Sequence, residues 1–170
     1  FIPASYGPNT TGSYVIYFDG SDVDLNSSDE DVDAISFEAT GNLLISVDGS
    51  FKAQTVRGND EDLFVLTNFT PGANTSGTWG FYFDGSDVGL SSSDEDVDAL
   101  DFDASGNLLI SVNGEFKAQS VTGADEDLFR LTGFTPGANT VGTWSLYFDG
   151  SDVGLSSSGE DIFGFWADHA

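Results

Sequence analysis

Acidic side chains clustered in two places per repeat are the residues of this sequence best suited to chemistry. Residues 82–103, YFDGSDVGLSSSDEDVDALDFD, crowd carboxylates into one stretch, and nearly the same string occurs at 17–38. A second acidic triplet follows each stretch, at 60–62 and 125–127. Calcium takes about 6–8 oxygen ligands from carboxylates, carbonyls and water, and these loops offer such oxygens together with Ser hydroxyls. The clusters therefore predict Ca²⁺ sites.

The predicted calcium ligands come from the loop after each YFDG string and from the two triplets. Neighbouring side chains on a strand point to opposite faces, so one triplet cannot give all its carboxylates to one ion. We expect acids of two loops to meet, so that within each unit the DED of the first loop (29–31 or 94–96) faces the DED triplet of the second (60–62 or 125–127) across the unit. The candidates are Asp19, Asp22, Asp29, Glu30, Asp31, Asp60, Glu61, Asp62, Asp84, Asp87, Asp94, Glu95, Asp96, Asp125, Glu126, Asp127, Asp149, Asp152, Glu160 and Asp161.

Two alternatives account for the same acids without an ion. Asp accepts hydrogen bonds from nearby backbone N–H groups, so the carboxylates could only cap turns and keep the surface soluble. An acidic surface adapted to high salt is the other alternative, although it predicts scattered rather than clustered acids. The acidic stretches also contain Asp33 and Asp98, two residues after the candidate ligands Asp31 and Asp96, and these two are not among the candidates.

Catalytic constellations are scarce in this sequence. There is no Cys, and the single His, His169, lies next to the C-terminus, so Cys–His and Ser–His–acid sets are excluded and zinc is disfavoured. The acids recur at equivalent positions in both copies, whereas a paired-carboxylate glycosidase usually breaks such symmetry. We therefore predict that the protein is not an enzyme, and a glycan-active enzyme is the least favoured alternative.

Charge and composition narrow the partners. The chain has 29 acidic residues against 4 basic ones, a formal charge of −25, which disfavours nucleic acid and anionic membranes as partners. No run approaches the roughly 20 apolar residues of a membrane-spanning helix, so we predict no membrane insertion. Hydrophobic residues make up 39% and include 15 Phe, enough for a packed core and unlike a disordered acidic tail.

A tandem repeat organises the chain. Residues 17–81 align with 82–146 without a gap and are identical at about three positions in four. Residues 1–16 read as the end of a repeat unit, and 147–170 as a partial repeat with a divergent terminal strand. Period-two alternation and Gly-containing turns predict four strands in each ~65-residue unit. We expect an all-β fold of four-stranded antiparallel units stacked like β-propeller blades, with a β-solenoid or sandwich as the alternative.

Two motifs carry a resemblance to known repeats. The hairpin DALDFDASGNLLISV at 98–112 resembles the inner strands of bacterial propeller blades, in which an FDxxGNLxxS turn is common. The YFDGSDVGLS…ED units resemble repeats of large secreted bacterial proteins. The resemblance implies a propeller-like fold and a secreted, extracellular or cell-surface location. It implies no particular activity.

The ends of the repeat array predict self-association. At 159–170 the string GEDIFGFWADHA places Phe163, Phe165 and Trp166 where the second copy has Asp98, Leu100 and Asp101, which predicts a docking strand. Incomplete end units leave strand edges open, so we expect subunits to complete one another in a ring or a filament. A chain that begins at Phe1 without Met is also expected to be a processed product, and a fragment of a longer array is the alternative.

These observations favour an extracellular, calcium-stabilised structural or adhesive repeat protein that self-assembles through its end units. A carbohydrate-binding propeller lectin is the alternative, and glycans would then be partners. In that alternative Trp79 and Trp144, equivalent to Tyr14, stack on sugar rings while calcium bridges hydroxyls. The competing interpretation is that these aromatic side chains fill the space between units.

Overall fold

Antiparallel β-strands make up the regular structure of the protein. The computed structural model describes residues 1–157 and 159–167, and within them there is no α-helix, only short 3₁₀ turns. The strands are β1 (Ile2–Ser5), β2 (Thr11–Ser13), β3 (Val32–Phe37), β4 (Leu43–Val47), β5 (Leu63–Thr70), β6 (Ser76–Phe83), β7 (Val97–Phe102), β8 (Leu108–Val112), β9 (Phe116–Ala118), β10 (Val121–Gly123), β11 (Leu128–Thr135) and β12 (Val141–Phe148). The 3₁₀ turns are Gly20–Val23, Ser28–Glu30, Ser86–Val88, Ser93–Glu95 and Gly150–Val153.

Two four-stranded sheets contain most of these strands. Sheet 1 has the order β3-β4-β5-β6, and sheet 2 has the same meander, β7-β8-β11-β12. All pairs are antiparallel, which confirms the all-β, antiparallel part of the prediction. In the second copy β9 and β10 add a small hairpin, where the first copy has a single bridge between Phe51 and Gly58. The described sheets do not close into a ring, so the propeller arrangement stays a prediction.

The first hairpin of each sheet follows directly from its sequence. The Leu-Leu-Ile-Ser-Val strands β4 and β8 are buried on both faces, as a continuous apolar run in a packed sheet requires. Gly41 and Gly106 close the preceding turns at φ of 86° and 77°, a region in which a side chain is strained. Both copies therefore use one turn and one register, with Val32 opposite Val47 and its copy Val97 opposite Val112.

Stacked aromatic side chains fill each unit. Phe51 lies flat on Phe64 with ring centroids 3.7 Å apart, and Trp79 meets Phe51 edge to face. The second unit repeats this stack with Phe116 and Phe129, also at 3.7 Å. Such pairs contribute roughly 0.5–1.5 kcal/mol beyond the apolar area that they bury.

The N-terminal hairpin copies the tip of the β5–β6 hairpin. Ile2 pairs with Ser13 as Thr67 pairs with Thr78, one repeat length further along. The strand β2 ends at Ser13, however, and residues 14–16 are exposed and outside any strand. The unit-end segment is therefore shorter as a strand than β6 and β12.

The two sheets pack face against face. Ala34, Leu44 and Val65 on one face of sheet 1 belong to the same apolar cluster as Val97 and Leu100 of sheet 2. The first strands of the two sheets, β3 and β7, are neighbours across this junction. The loops that precede and follow these strands therefore converge at the boundary between the units.

The C-terminal segment, residues 159–167, continues the array against sheet 2. Ser111 Oγ donates to the Ile162 carbonyl at 2.7 Å, and the Ala167 N–H donates to Asp101 Oδ2 at 2.8 Å. Phe163 and Trp166 are nevertheless 74% and 75% exposed. Residues 159–167 of the predicted docking strand form no β-strand; the segment contacts sheet 2 through its backbone and presents two aromatic side chains outward. Its last part, 168–170 with His169, lies outside the described residues.

Candidate metal centre

Three of the predicted ligands are turn caps whose carboxylates are occupied by backbone donors. Glu30 closes a capping box with Ser27, and its Oε2 accepts the N–H groups of Asn26 and Ser27 at 2.7 and 2.8 Å. Its Oε1 accepts the N–H of Lys52 at 3.0 Å. Glu95 repeats all three bonds, and Glu160 repeats the first two. Each carboxylate therefore stabilises its loop through backbone hydrogen bonds, as the turn-capping alternative predicts.

Asp62 and Asp127 connect one unit to the next. Asp62 Oδ2 accepts the Asn59 N–H, and its Oδ1 accepts the N–H of Gly85 in the following unit, both at 2.9 Å. Asp127 makes the equivalent bond to the N–H of Gly150, again at 2.9 Å. Burial, against the lowering effect of these hydrogen bonds, raises the pKa of Asp62 to about 6. Both acids act as structural pins between units.

The aspartates of the YFDG turns are also caps. Asp19, Asp84 and Asp149 each accept the hydroxyl of the Ser two residues later, at 2.6–2.7 Å. Asp87 accepts the backbone N–H of Thr140 at 2.8 Å. These bonds order the first turn of each unit and engage one carboxylate oxygen of each aspartate.

The remaining predicted ligands differ in how far their side chains are buried. Exposed carboxylates are Asp22, Asp29, Asp31, Asp94 and Asp152; half-buried ones are Asp60, Asp125, Glu126 and Asp161; and Glu61 and Asp96 are buried. The triplet 60–62 does not face the acids of its own unit alone. Its Asp60 carbonyl accepts the N–H of Val97 at 3.2 Å, so the triplet lies against the start of β7 in the next unit. The acidic clusters meet between units.

Asp33, Asp48 and Asp96 form the group with metal-binding geometry among the described residues. One carboxylate oxygen of each lies within 4.8 Å of the others. Asp33 is in β3, Asp48 directly follows β4 and Asp96 directly precedes β7, so the group spans the junction of the two sheets. Asp33 and Asp48 are exposed and Asp96 is buried.

Asp96 has an oxygen that no protein group satisfies. The side chain is 4% exposed, and Asn113 Nδ2 donates to Oδ2 at 3.2 Å. The other oxygen, Oδ1, is buried without a hydrogen-bond partner. Burial, and then the charges of Asp33, Asp60 and Asp48, raises the pKa of Asp96 to about 8. Asp33 keeps an exposed side chain, but partial desolvation by its neighbours, and then the charge of Asp48, raise its pKa to about 6. The junction thus disfavours the ionised form of these carboxyls, and a hard cation bound there would stabilise it.

Sequence reasoning selected only Asp96 of these three acids. It placed Asp33 in the acidic stretch without choosing it as a ligand, and it missed Asp48. The missed residue stands where the second copy has Asn113, so the expectation that ligands recur in both copies hid it. The usable signal was the position of Asp48, directly after a buried strand whose neighbour, β3, carries an acid.

Comparisons with known proteins identify no relative of this chain. No family model, no curated protein and no solved structure matches the chain significantly. Within the described residues, no helix is long and apolar enough to cross a membrane. The fold and the site therefore define a class only: an acidic, all-β protein of two similar four-stranded sheets, with three carboxylates at the sheet junction able to hold a metal ion.

Proposed function

We propose that this protein is a structural or adhesive repeat module of the extracellular space, in which a calcium ion at Asp33, Asp48 and Asp96 joins consecutive sheets. The observation that carries the proposal is the unpartnered, buried Oδ1 of Asp96 beside two further carboxylates. An isolated buried carboxylate costs several kcal/mol, and an opposing charge at the junction offsets that cost. The ion would act as a clamp between units.

Calcium fits the donor set better than the other common ions. The group offers oxygen alone, which disfavours zinc in a chain that has no Cys. Asp33 and Asp48 are exposed, so water can complete a coordination sphere of about 6–8 oxygens. Magnesium demands a near-ideal octahedron and binds through one or two carboxylates, so three crowded acids favour the larger ion. Extracellular calcium modules work at dissociation constants of roughly 10⁻⁴–10⁻³ M, which suits a site open to solvent on one side.

The decisive experiment compares thermal unfolding with and without calcium for two aspartate variants. Calcium should raise the melting temperature of the chelator-treated wild type, by a stabilisation of about 2.7 kcal/mol at a hundredfold excess over Kd. Above pH 8, where the wild-type carboxyl with its pKa of about 8 carries a buried charge, Asp96→Asn should be more stable than wild type in chelator, and it should lose the calcium response. The control Asp24→Asn changes an exposed acid at φ of 73°, a conformation that Asn tolerates. A calcium response that survives in Asp96→Asn would overturn the site.

Self-association is the second part of the proposal, with a second copy of this chain as the partner. Val32 and Ile35 of β3 are 40% and 52% exposed, whereas their copies Val97 and Leu100 are buried under sheet 1. In the second unit the equivalent face of β7 is covered by sheet 1. The exposed face of β3 is therefore complementary in shape to the corresponding sheet of a second copy. Light scattering should show an assembly that Ile35→Asp dissociates and that Val153→Asp, at another exposed apolar position, leaves intact. A wild type that is monomeric at all concentrations contradicts this part, and electron microscopy separates ring from filament.

The carbohydrate-binding alternative receives no support from the two tryptophans on which it depended. Trp79 and Trp144 are 4% and 3% exposed, and their indole N–H groups donate to the carbonyls of Val23 and Val88. Neither ring offers a face on which a sugar could stack. That the protein is not an enzyme stays a prediction.

A further inference from the structure

The junction between sheet 2 and the C-terminal segment repeats the chemistry of the junction between the sheets. The Ile162 N–H donates to the Asp125 carbonyl at 3.2 Å, as the Val97 N–H donates to the Asp60 carbonyl at the same distance one unit earlier. In this arrangement Asp161 takes the place of Asp96, at the start of the incoming C-terminal segment. Asp98 of β7 takes the place of Asp33 of β3.

Two carboxyl oxygens at this second junction have no N–H or hydroxyl donor. Asp98 is 4% exposed, and its Oδ1 shares the single Ser111 hydroxyl hydrogen with the Ile162 carbonyl, each at 2.7 Å from Oγ. Its Oδ2 is buried without a hydrogen-bond partner, and so is Oδ1 of Asp161. The two side chains lie within hydrogen-bonding reach of each other. Ionised carboxyls only accept hydrogen bonds, so two that face each other in a buried place either share one proton or bind a positive charge between their oxygens.

We propose that Asp98 and Asp161 form a second divalent-cation site, which fastens residues 159–167 to sheet 2. The inference rests on the proposed function, because it assigns the same hard, oxygen-preferring ion to the next junction of the repeat. The segment already has two ties to sheet 2, from Ser111 to the Ile162 carbonyl and from Ala167 to Asp101. The ion adds a third connection to sheet 2, at Asp161 near the start of the segment.

The second site has a different donor set from the first. Asn113 stands in the position of Asp48, and its amide already donates to Asp96. The second site therefore has two carboxylates where the first has three, and it binds calcium more weakly. In a titration the junction between the sheets should fill first and the C-terminal junction second.

Calorimetric titration of the chelator-treated full chain with Ca²⁺ tests this inference through the number of ions bound. The wild type should bind one ion at each junction. Asp161→Asn should lose the weaker ion and keep the tighter one, whereas Asp96→Asn should lose the tighter ion and keep the weaker. Asp98→Asn should behave as Asp161→Asn does, which guards against a folding defect in a single variant. Asp152→Asn, an exposed acid of the same partial unit, is the matched control and should bind as wild type.

Hydrogen exchange of the Ile162 and Ala167 amides gives an independent readout. Calcium should slow their exchange in wild type and in Asp96→Asn, and should leave it unchanged in Asp161→Asn. If Asp161→Asn keeps the wild-type stoichiometry and protection, the second site is overturned while the first stands. Protection that is independent of calcium and is lost as the pH rises would also overturn it, since a shared proton would then hold the pair. If Asp96→Asn keeps both ions, the proposed function fails instead.

Discussion

The Asp62 carboxylate accepts a 2.9 Å hydrogen bond from the backbone N–H of Gly85, across the boundary between two repeat units. The same pair recurs as Asp127 and Gly150, also at 2.9 Å. Because each acid is buried and also accepts an N–H from its own loop, it couples the loop before one strand to the first turn of the next unit. The units are thus connected by side-chain hydrogen bonds in addition to apolar packing.

Asp62→Asn should destabilise the protein by roughly 1–3 kcal/mol, because the amide presents an NH₂ group to one of two backbone donors that the carboxylate satisfies. Urea denaturation in excess chelator measures this loss without interference from bound ions. Asp127→Asn should behave alike, and Asp24→Asn serves as the exposed control. Equal midpoints for Asp62→Asn and wild type would show that the bond between units contributes nothing.

Gly85→Ala should destabilise the protein by about 1–3 kcal/mol through overpacking. A Cβ at this position overlaps the Glu61 backbone carbonyl, so the two units would have to separate slightly. Gly164→Ala is the matched control, because a Cβ there meets nothing within 4 Å. Thermal unfolding of the two variants should separate them clearly, and similar melting temperatures would contradict the close approach.

Glu95→Gln should destabilise by roughly 1–3 kcal/mol, whereas Glu160→Gln should change stability little. Glu95 uses both carboxylate oxygens, for Ser91 and Ser92 on one side and Lys117 on the other, so a Gln must turn its NH₂ toward a donor. Glu160 is exposed and accepts both backbone bonds on one oxygen, which a Gln oxygen can replace. Chemical denaturation of the pair tests this, and equal losses would refute the distinction.

Acrylamide quenching should find one accessible tryptophan of the three. Trp166 is 75% exposed, and Trp79 and Trp144 are almost fully buried. Trp166→Phe should therefore remove most of the quenchable emission and leave a blue-shifted spectrum. If Trp79→Phe removed it instead, the core position of that indole would be wrong, and the carbohydrate-binding alternative would regain its stacking surface.

In the absence of divalent ions the protein should lose stability as the pH rises from about 4 to about 7. Burial raises the pKa of Asp62 from 3.8 to about 6 and that of Glu61 from 4.5 to about 7. A raised folded-state pKa means that the folded protein binds more protons in this window. The stabilisation is therefore complete below the unfolded pKa and is lost as the pH passes the folded one.

Melting temperatures measured in chelator across this pH range test the direction of the change. Glu61→Gln should flatten the upper half of the profile, and Glu115→Gln, an exposed control, should leave it unchanged. A melting temperature that rises with pH would contradict the expectation for the buried carboxyls.

Local features of the fold followed from the sequence because strand formation depends on local patterns. The Leu-Leu-Ile-Ser-Val runs and the Gly41 and Gly106 turns indicated the hairpins that sheets 1 and 2 contain. The candidate site could not be predicted in the same way. Counting acids per loop favoured Glu30 and Glu95, and only the folded chain shows that backbone donors from Lys52 and Lys117 occupy them.

The sequence by itself determined that the chain is acidic, repetitive and built of antiparallel strands, since composition and period-two alternation are properties of neighbouring residues. Only the tertiary structure decided which acids meet. Packing one sheet on the next brings Asp33, Asp48 and Asp96 together from separate strands and loops, and buries one of them without a partner. A metal site depends on the distances between carboxylates and on their burial, and neither can be deduced from the spacing of residues along the chain.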